Sequence, residues 1–464
     1  MAGTSTRLLP GLVYAALTTA VVSSLGMLLV PSVAEEYDVA VGTAQWMLTI
    51  NLLVGAVTTP VMGRLSDGPH KKRLLICALA VILLGSVMAA VAPTFAVFLA
   101  GRALQGLSYG IVPVTIALAR RYLSDDLVRP GISALSVTVA TGLGVGYPLT
   151  GVLASGFGFR MAFVAAAIFL VTAMVTVWAV VPSGPDERAP RQRFDVPGAV
   201  LLGAGLSAVL LAVSEGPDWG WLSVRTIGAF AVGVAVLVGW GVVELRTPHP
   251  MINLRIFRHT DVILANGTAI GLGAALYIGL SIASLIAQAP TDTGYGIALP
   301  LLWAGFVMLP LSVGSFGANR VVRLLAARVG LPTLLRVGTA IMAVAAFLML
   351  FAHDALWEIL IGMFLFGVGL GTAYAAMPAL IARTVVTEEL GSAVSFNQVL
   401  RTVGGAGGSA LSGAVLAAHP GLGTFPDNSG IVLALALSAI GCLTVFGALV
   451  VHFVVRRVGI EGTL

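Results

Sequence analysis

Charge is scarce in this chain. Only 10% of its residues are Asp, Glu, Lys or Arg. Soluble domains carry about 25%. Cysteine is rarer still. Cys77 and Cys442 both lie inside apolar runs, which points to small packing residues and away from a disulfide or a metal site. The six histidines do not fall into metal-ligand spacing, and no phosphate-loop spacing occurs. Metals, other cofactors and direct ATP coupling are therefore not expected. No catalytic constellation is visible, so the chain does not read as an enzyme. Acids are missing from the middle of the apolar runs: Asp261 and Glu358 both sit near the ends of theirs.

Apolar residues are what the chain has in abundance. They make up 58% of it, with a mean hydropathy of +1.01. A soluble surface carrying that much apolar area would aggregate. The expected solvent is lipid, and the fold class is an all-α polytopic membrane protein. Fourteen runs are each long enough to span a bilayer: roughly 10–33, 42–64, 73–92, 95–122, 130–155, 160–182, 197–214, 224–245, 260–288, 298–320, 331–352, 355–382, 389–418 and 428–455. A membrane barrel would show short alternating segments instead. The first run follows a single cation, Arg7, with no cleavage-like polar break after it. It reads as a retained helix and not as a signal peptide.

The net charge of +5 belongs to topology and not to nucleic acid. With the N-terminus inside, nearly every cation falls in an inner segment or at its edge. Arg160 and Arg225 fall outside, and Arg102 and Arg401 lie within runs. The outer turns carry acids instead: Glu35, Glu36, Asp38, Glu215, Asp218, Asp292, Asp354 and Asp427. Only fourteen spans place Arg246–Arg258 inside. This bias predicts a cell-membrane protein with both termini cytoplasmic.

An internal repeat divides the chain. Leu52-Leu53-Val54-Gly55 matches Leu311-Ser312-Val313-Gly314. Gly106 and Pro113 match Gly371 and Pro378, and Leu149-Thr150-Gly151 matches Leu411-Ser412-Gly413. The offsets are nearly equal. The expected organisation is a six-helix bundle over 1–183, a Pro- and Arg-rich cytoplasmic linker over 184–196, an inserted helix pair over 197–246, and a second six-helix bundle over 247–464.

Three stretches carry a resemblance. The first is the polar knot Gly63-Arg64-Leu65-Ser66-Asp67-Gly68-Pro69-His70-Lys71-Lys72-Arg73. The second is Arg102-Ala103-Leu104-Gln105-Gly106, with an arginine inside an apolar run. The third is the glycine ladder Gly142-Leu143-Gly144-Val145-Gly146-Tyr147-Pro148-Leu149-Thr150-Gly151. Together they resemble the major facilitator superfamily, and specifically its fourteen-helix drug:proton antiporters. In that resemblance Gly63, Asp67, Lys71, Lys72 and Arg73 form a conformational latch, with Asp67 able to accept hydrogen bonds from a neighbouring helix N-terminus. Arg102 and Gln105 belong to proton or substrate coupling. Gly142, Gly146, Pro148 and Gly151 form the helix-packing antiporter motif, small residues letting a neighbour approach while Pro148 kinks the span.

The pattern departs from the family in three places. Tyr147 separates Gly146 from Pro148, and Thr150 stands where a glycine is usual. The first span reads Leu17-Thr18-Thr19-Ala20-Val21-Val22-Ser23-Ser24, without the aspartate usual there.

Arg401 lies near the middle of its run, with Asn397, Gln398 and Thr402 as polar neighbours. Two intramembrane arginines without an evident acidic partner predict a central cavity of positive potential that favours neutral or anionic amphiphiles. Candidate cavity residues are Gln45, Asn51, Tyr109, Tyr147, Asn266, Tyr277, Gln288, Tyr374, Asn397 and Arg401. The resemblance implies a monomeric secondary transporter exporting drug-like or secondary-metabolite molecules by proton antiport. Its partners would be a small-molecule substrate, protons and the bilayer. The alternative is a facilitator or exporter of an anionic or neutral metabolite without proton coupling.

Overall fold

The computed structural model describes all residues except 1, 40–43, 45, 185–194, 249, 251, 253, 256–258, 386–389, 420, 422–424 and 462–464. Among the described residues there are fourteen long helices. They are α1 (Ala2–Ser24), α2 (Trp46–Asp67), α3 (Lys71–Val91), α4 (Phe95–Tyr122), α5 (Asp125–Phe157), α6 (Arg160–Val180), α7 (Val196–Trp219), α8 (Val224–Arg246), α9 (Thr260–Gln288), α10 (Leu309–Val329), α11 (Leu331–Phe351), α12 (Leu356–Thr384), α13 (Leu390–Ala417) and α14 (Asn428–Glu461). By length and composition, twelve of the described helices can cross a membrane. The two outside that set are α5 and α13, both rich in glycine, serine and threonine.

Local chemistry sets the helix ends. Asp195 Oδ1 accepts from Gly198 N at 2.9 Å and caps α7. Ser223 Oγ accepts from Thr226 N at 3.2 Å and caps α8. These bonds satisfy amide groups that have no partner inside the helix. The first apolar run, expected over 10–33, breaks after Ser24. Gly26 there has φ of 135°, a conformation open to glycine. A 3-10 turn at Met27–Leu29 and a short helix at Val30–Glu36 follow. The run expected over 298–320 is likewise two pieces, Leu301–Phe306 and α10.

The packing repeats. Among the first six helices, α1 packs on α5 and α6, α3 on α4 and α6, and α2 on α4. The last six show the same pairings with eight added to each number: α9 on α13 and α14, α11 on α12 and α14, and α10 on α12. Glycines make equivalent contacts at equivalent places. A methyl group on Gly106 would lie 2.7 Å from the Asn51 carbonyl, and one on Gly371 would lie 2.6 Å from the Ser315 carbonyl. The weak sequence repeat is therefore a structural one.

Two seams join the sets, α2 against α13 and α5 against α10. Adding eight to α2 gives α10, and removing eight from α13 gives α5, so the repeat exchanges the seams. The pair α7–α8 sits beside the first seam. Leu202, Leu206 and Trp240 form an apolar cluster with Ile252 and Val399, packed against Val61 and Phe396. Burial tracks position. α12 buries 72% of its span and α8 only 17%, as central and lipid-facing helices should. Large exposed apolar residues such as Phe157, Trp178, Val238 and Phe351 lie on outward surfaces, which fits a hydrocarbon solvent and not water.

Candidate functional site

The site residues fall into three groups. The first lies at the end of the α2–α13 seam. Asp67 is the last residue of α2, and its Oδ2 accepts a 2.5 Å hydrogen bond from Ser392 Oγ in the first turn of α13. A carboxylate at a helix N-terminus also meets the positive end of the helix dipole. Arg64 and Lys71 act electrostatically on the same carboxylate. Members of the knot also bond within and beside it. Lys71 Nζ donates to the Gly68 carbonyl at 2.8 Å. Lys72 Nζ donates to the carbonyls of Trp178 and Val181 at 2.8 and 2.6 Å, which cap the end of α6. Arg73 is exposed. Asp67 is the member of the knot with a described bond across the seam. The repeat-related position of Asp67, near Ala326, lies among side chains outside the described ones.

The second group lies inside the first six helices. Arg102 is fully buried. Its Nε donates to the Met47 carbonyl of α2 at 3.1 Å, and its Nη1 donates to Gln105 Oε1 at 2.7 Å. Gln105 Nε2 in turn donates to Ser86 Oγ of α3 at 2.8 Å. The guanidinium carbon lies 5.8 Å from the Phe163 ring centroid of α6. Arg102 thus ties four helices of one set together. Asn51 Nδ2 donates to the Arg102 carbonyl at 3.1 Å, joining α2 to α4. This bond makes Asn51 a tie between α2 and α4.

The third group lies between the two sets. Tyr109 of α4 and Tyr277 of α9 bring their hydroxyls to 3.5 Å. Tyr277 also interacts electrostatically with Tyr147 of α5 and Tyr374 of α12. Four helices from both sets therefore supply one tyrosine each. Tyr109 and Tyr374 are separated by the same offset as Gly106 and Gly371, so they are repeat mates on α4 and α12. Glycines make room for the rings: a methyl on Gly55 would overlap Tyr109, and one on Gly405 would lie 2.6 Å from the Tyr277 ring. Arg401 of α13 places its guanidinium carbon 4.3 Å from the Tyr374 ring centroid. Its Nε and Nη2 both donate to Asn397 Oδ1, at 3.2 and 2.9 Å. Asn397 Nδ2 donates to Asn266 Oδ1 at 2.9 Å, joining α13 to α9.

The structure thus brings Tyr109, Tyr147, Tyr277, Tyr374 and Arg401 together, with Asn397 and Asn266 behind Arg401. Gln288 stands apart near the end of α9, bonded to Ser284. Gln45 lies outside the described residues.

The glycine ladder of α5 serves two neighbours. Methyls on Gly142 and Gly146 would overlap Ala20 and Ser24 of α1. A methyl on Gly144 would overlap Ser312 of α10, and one on Gly151 would lie 3.1 Å from the Leu301 and Leu302 carbonyls. The α5–α10 seam also holds a bond from Ser312 Oγ to the Thr141 carbonyl at 2.5 Å. Backbone at Tyr147 and Pro148 faces Gly305. The alternation of the ladder therefore divides between a contact inside one set and the seam itself. Sequence reasoning missed Ser392 and Ser312, because an isolated serine in an apolar helix has no distinguishing pattern. It also missed Glu244, a buried acid near the end of α8 whose Oε1 accepts from Trp240 Nε1 at 2.9 Å.

Two helix sets related by a repeat, closed on exchangeable seams around a polar centre, define a polytopic secondary transporter. Residues 12–409 match the model of the Major Facilitator Superfamily, and the chain belongs to that superfamily. It is 27% identical over 394 residues to the multidrug resistance protein Stp of Mycobacterium tuberculosis H37Rv, covering 84% of this chain and 71% of the relative. It is 25% identical over 438 residues to the quinolone resistance protein NorB of Staphylococcus aureus MRSA252, covering 93% and 92%. Among solved structures, the human organic anion transporter MFSD10 superposes with a TM-score of 0.69 at 15% identity, over 96% of this chain and 99% of that one. The nucleoside transporter NupG superposes with a TM-score of 0.60 at 14% identity, over 96% and 98%. These two likenesses establish the fold.

Proposed function

We propose that this transporter exports drug-like or secondary-metabolite small molecules across the plasma membrane by proton antiport. The observation that carries the proposal is the tyrosine–Arg401 cluster, built from helices of both sets. Rocking of the sets about such a cluster would expose it to each side in turn. Relatives that are multidrug and quinolone resistance proteins support export of drugs. All fourteen helices cross the bilayer in this reading, with both termini cytoplasmic and the protein a monomer. Residues 1–183 and 247–464 are the moving bundles, 184–196 the linker and 197–246 the inserted pair. Asp67 holds the cytoplasmic ends of α2 and α13 together while the transporter faces outward. Arg102 and Gln105 couple protonation to that motion. Expression in a drug-sensitive strain tests export: resistance to a set of drugs is the expected result, and resistance to none removes the reading.

A second reading is favoured by one observation. Arg401 has no acidic partner among the described residues, and a titratable carboxylate at mid-membrane is the usual proton carrier. The protein would then export an anionic or neutral metabolite without proton coupling. Reconstituted vesicles separate the two. A pH gradient that drives uphill drug flux supports antiport, and a gradient that never does so supports the second reading.

A further inference from the structure

A guanidinium presents two edges to planar acceptors, a side edge formed by Nε and one terminal nitrogen, and an end edge formed by both terminal nitrogens. In Arg401 the side edge is occupied, since Nε and Nη2 converge on Asn397 Oδ1. Asn397 is itself held by Asn266, so this edge is fixed in place. One face of the guanidinium is covered by the Tyr374 ring. The end edge remains. Nη1 is buried and has no hydrogen-bond partner among the described residues. Arg401 as a whole is only 4% exposed.

An uncompensated charge at this depth is costly, and the cost falls when a counter-ion and its hydrogen bonds arrive together. Asn397 offers a dipole and no charge. The other interacting neighbour is Tyr374, whose hydroxyl hydrogen-bonds the guanidinium and which is a phenol and not a carboxylate. The end edge matches the two oxygens of a carboxylate in size and direction. Three more tyrosines join Tyr374: Tyr277 interacts with it and with Tyr109 and Tyr147. Tyrosine rings supplied by four helices suit an aromatic body better than an aliphatic one.

We propose that Arg401 is an anion-binding subsite for aromatic carboxylates, with the carboxylate seated on the Nη1–Nη2 edge and the aryl group among the tyrosines. This rests on reading the tyrosine cluster as the transport site. Asn397 is a positioning residue that sets the free edge without touching the ligand's charge.

The full-length protein in nanodiscs is titrated calorimetrically with 1-naphthoate and with its neutral isostere 1-naphthamide. The wild type should bind the carboxylate about ten-fold or more tightly than the amide, the worth of a charge-assisted pair. Arg401→Gln should bring the two ligands to parity. Asn397→Asp supplies an internal carboxylate beside the guanidinium and should also abolish the preference, while keeping the arginine that the fold was built around. Equal binding of both ligands by the wild type overturns the proposal, as does a preference that survives either substitution. A drug-resistance profile is taken in parallel. Resistance without a carboxylate preference sinks the subsite alone, whereas binding without resistance to any drug sinks the export reading and leaves the subsite standing.

Discussion

Asp67 and Ser392 meet across 325 residues of sequence through a 2.5 Å hydrogen bond from the serine hydroxyl to the carboxylate. The bond joins the last residue of α2 to the first turn of α13, so separating the seam at this end must break it. A hydrogen bond to a charged group contributes about 1.5–3 kcal/mol. Ser392→Ala should therefore lower the population of the closed end by roughly ten-fold or more. The reporter is Ser395→Cys, fully buried one turn further along α13, in a background with Cys77 and Cys442 replaced by serine. Ser392→Ala should raise its labelling rate by a membrane-impermeant maleimide in step with that population. An unchanged rate would show that the bond does not hold the seam.

Glycines on α5 give a second prediction, because neighbouring positions face different partners. A methyl on Gly142 would overlap Ala20 inside the first set, while one on Gly144 would overlap Ser312 and lie 2.8 Å from the Met308 carbonyl across the seam. Overpacking costs about 1–3 kcal/mol where backbone cannot shift. Gly142→Ala should lower the unfolding temperature. Gly144→Ala should slow transport and leave the unfolding temperature nearly unchanged, since the two sets can part slightly without unfolding. Gly156→Ala meets nothing within 4 Å and serves as the control. Equal effects of the first two substitutions on both measurements would dissolve the distinction.

The helix order was legible because each span is a long apolar run and its ends carry charge or glycine. α4, expected over 95–122, lies at Phe95–Tyr122. The break after Ser24 was not legible, because it depends on how Gly26 fits against Met47 and Arg102, a tertiary matter. The tyrosine cluster was half legible. Tyr109 and Tyr374 stand at the repeat offset, yet nothing local separates them from Gln288, which faces its own helix. Asn51, Asn266 and Asn397 were legible as polar and not as ties, since a buried amide reads the same in either role. Ser392 carried no signal, because its importance comes wholly from the carboxylate opposite.

The α7–α8 pair offers a third prediction. Trp240 of α8 places its ring centroid 6.1 Å from that of Phe396 on α13, and its Nε1 donates to Glu244. Trp240→Phe keeps an aromatic surface and removes the donor, at a cost of about 1–3 kcal/mol. Trp240→Ala removes both and should cost about 3–5 kcal/mol. Hydrogen–deuterium exchange reads the docking directly. Both variants should speed exchange on α7 and α8, with the alanine the faster, and α11 should be unaffected. Uniform acceleration along the whole chain would mean that the pair is not a separate docked unit.

Arg102 allows its packing role and its proposed coupling role to be separated. Gln105→Leu leaves the guanidinium buried without its Oε1 acceptor, and a lost hydrogen bond to a charged group costs about 1.5–3 kcal/mol. Arg102→Met with Gln105→Leu removes the charge as well and should recover much of that loss, because two apolar side chains fill the space between Met47, Ser86 and Phe163. The single variant should unfold at a lower temperature than the double. With folding restored, transport isolates coupling. In reconstituted vesicles the double variant should exchange substrate across the membrane without a gradient, yet fail to accumulate it when a pH gradient is imposed. Gradient-driven accumulation at the wild-type level would assign Arg102 to holding α2, α3, α4 and α6 together and to nothing more.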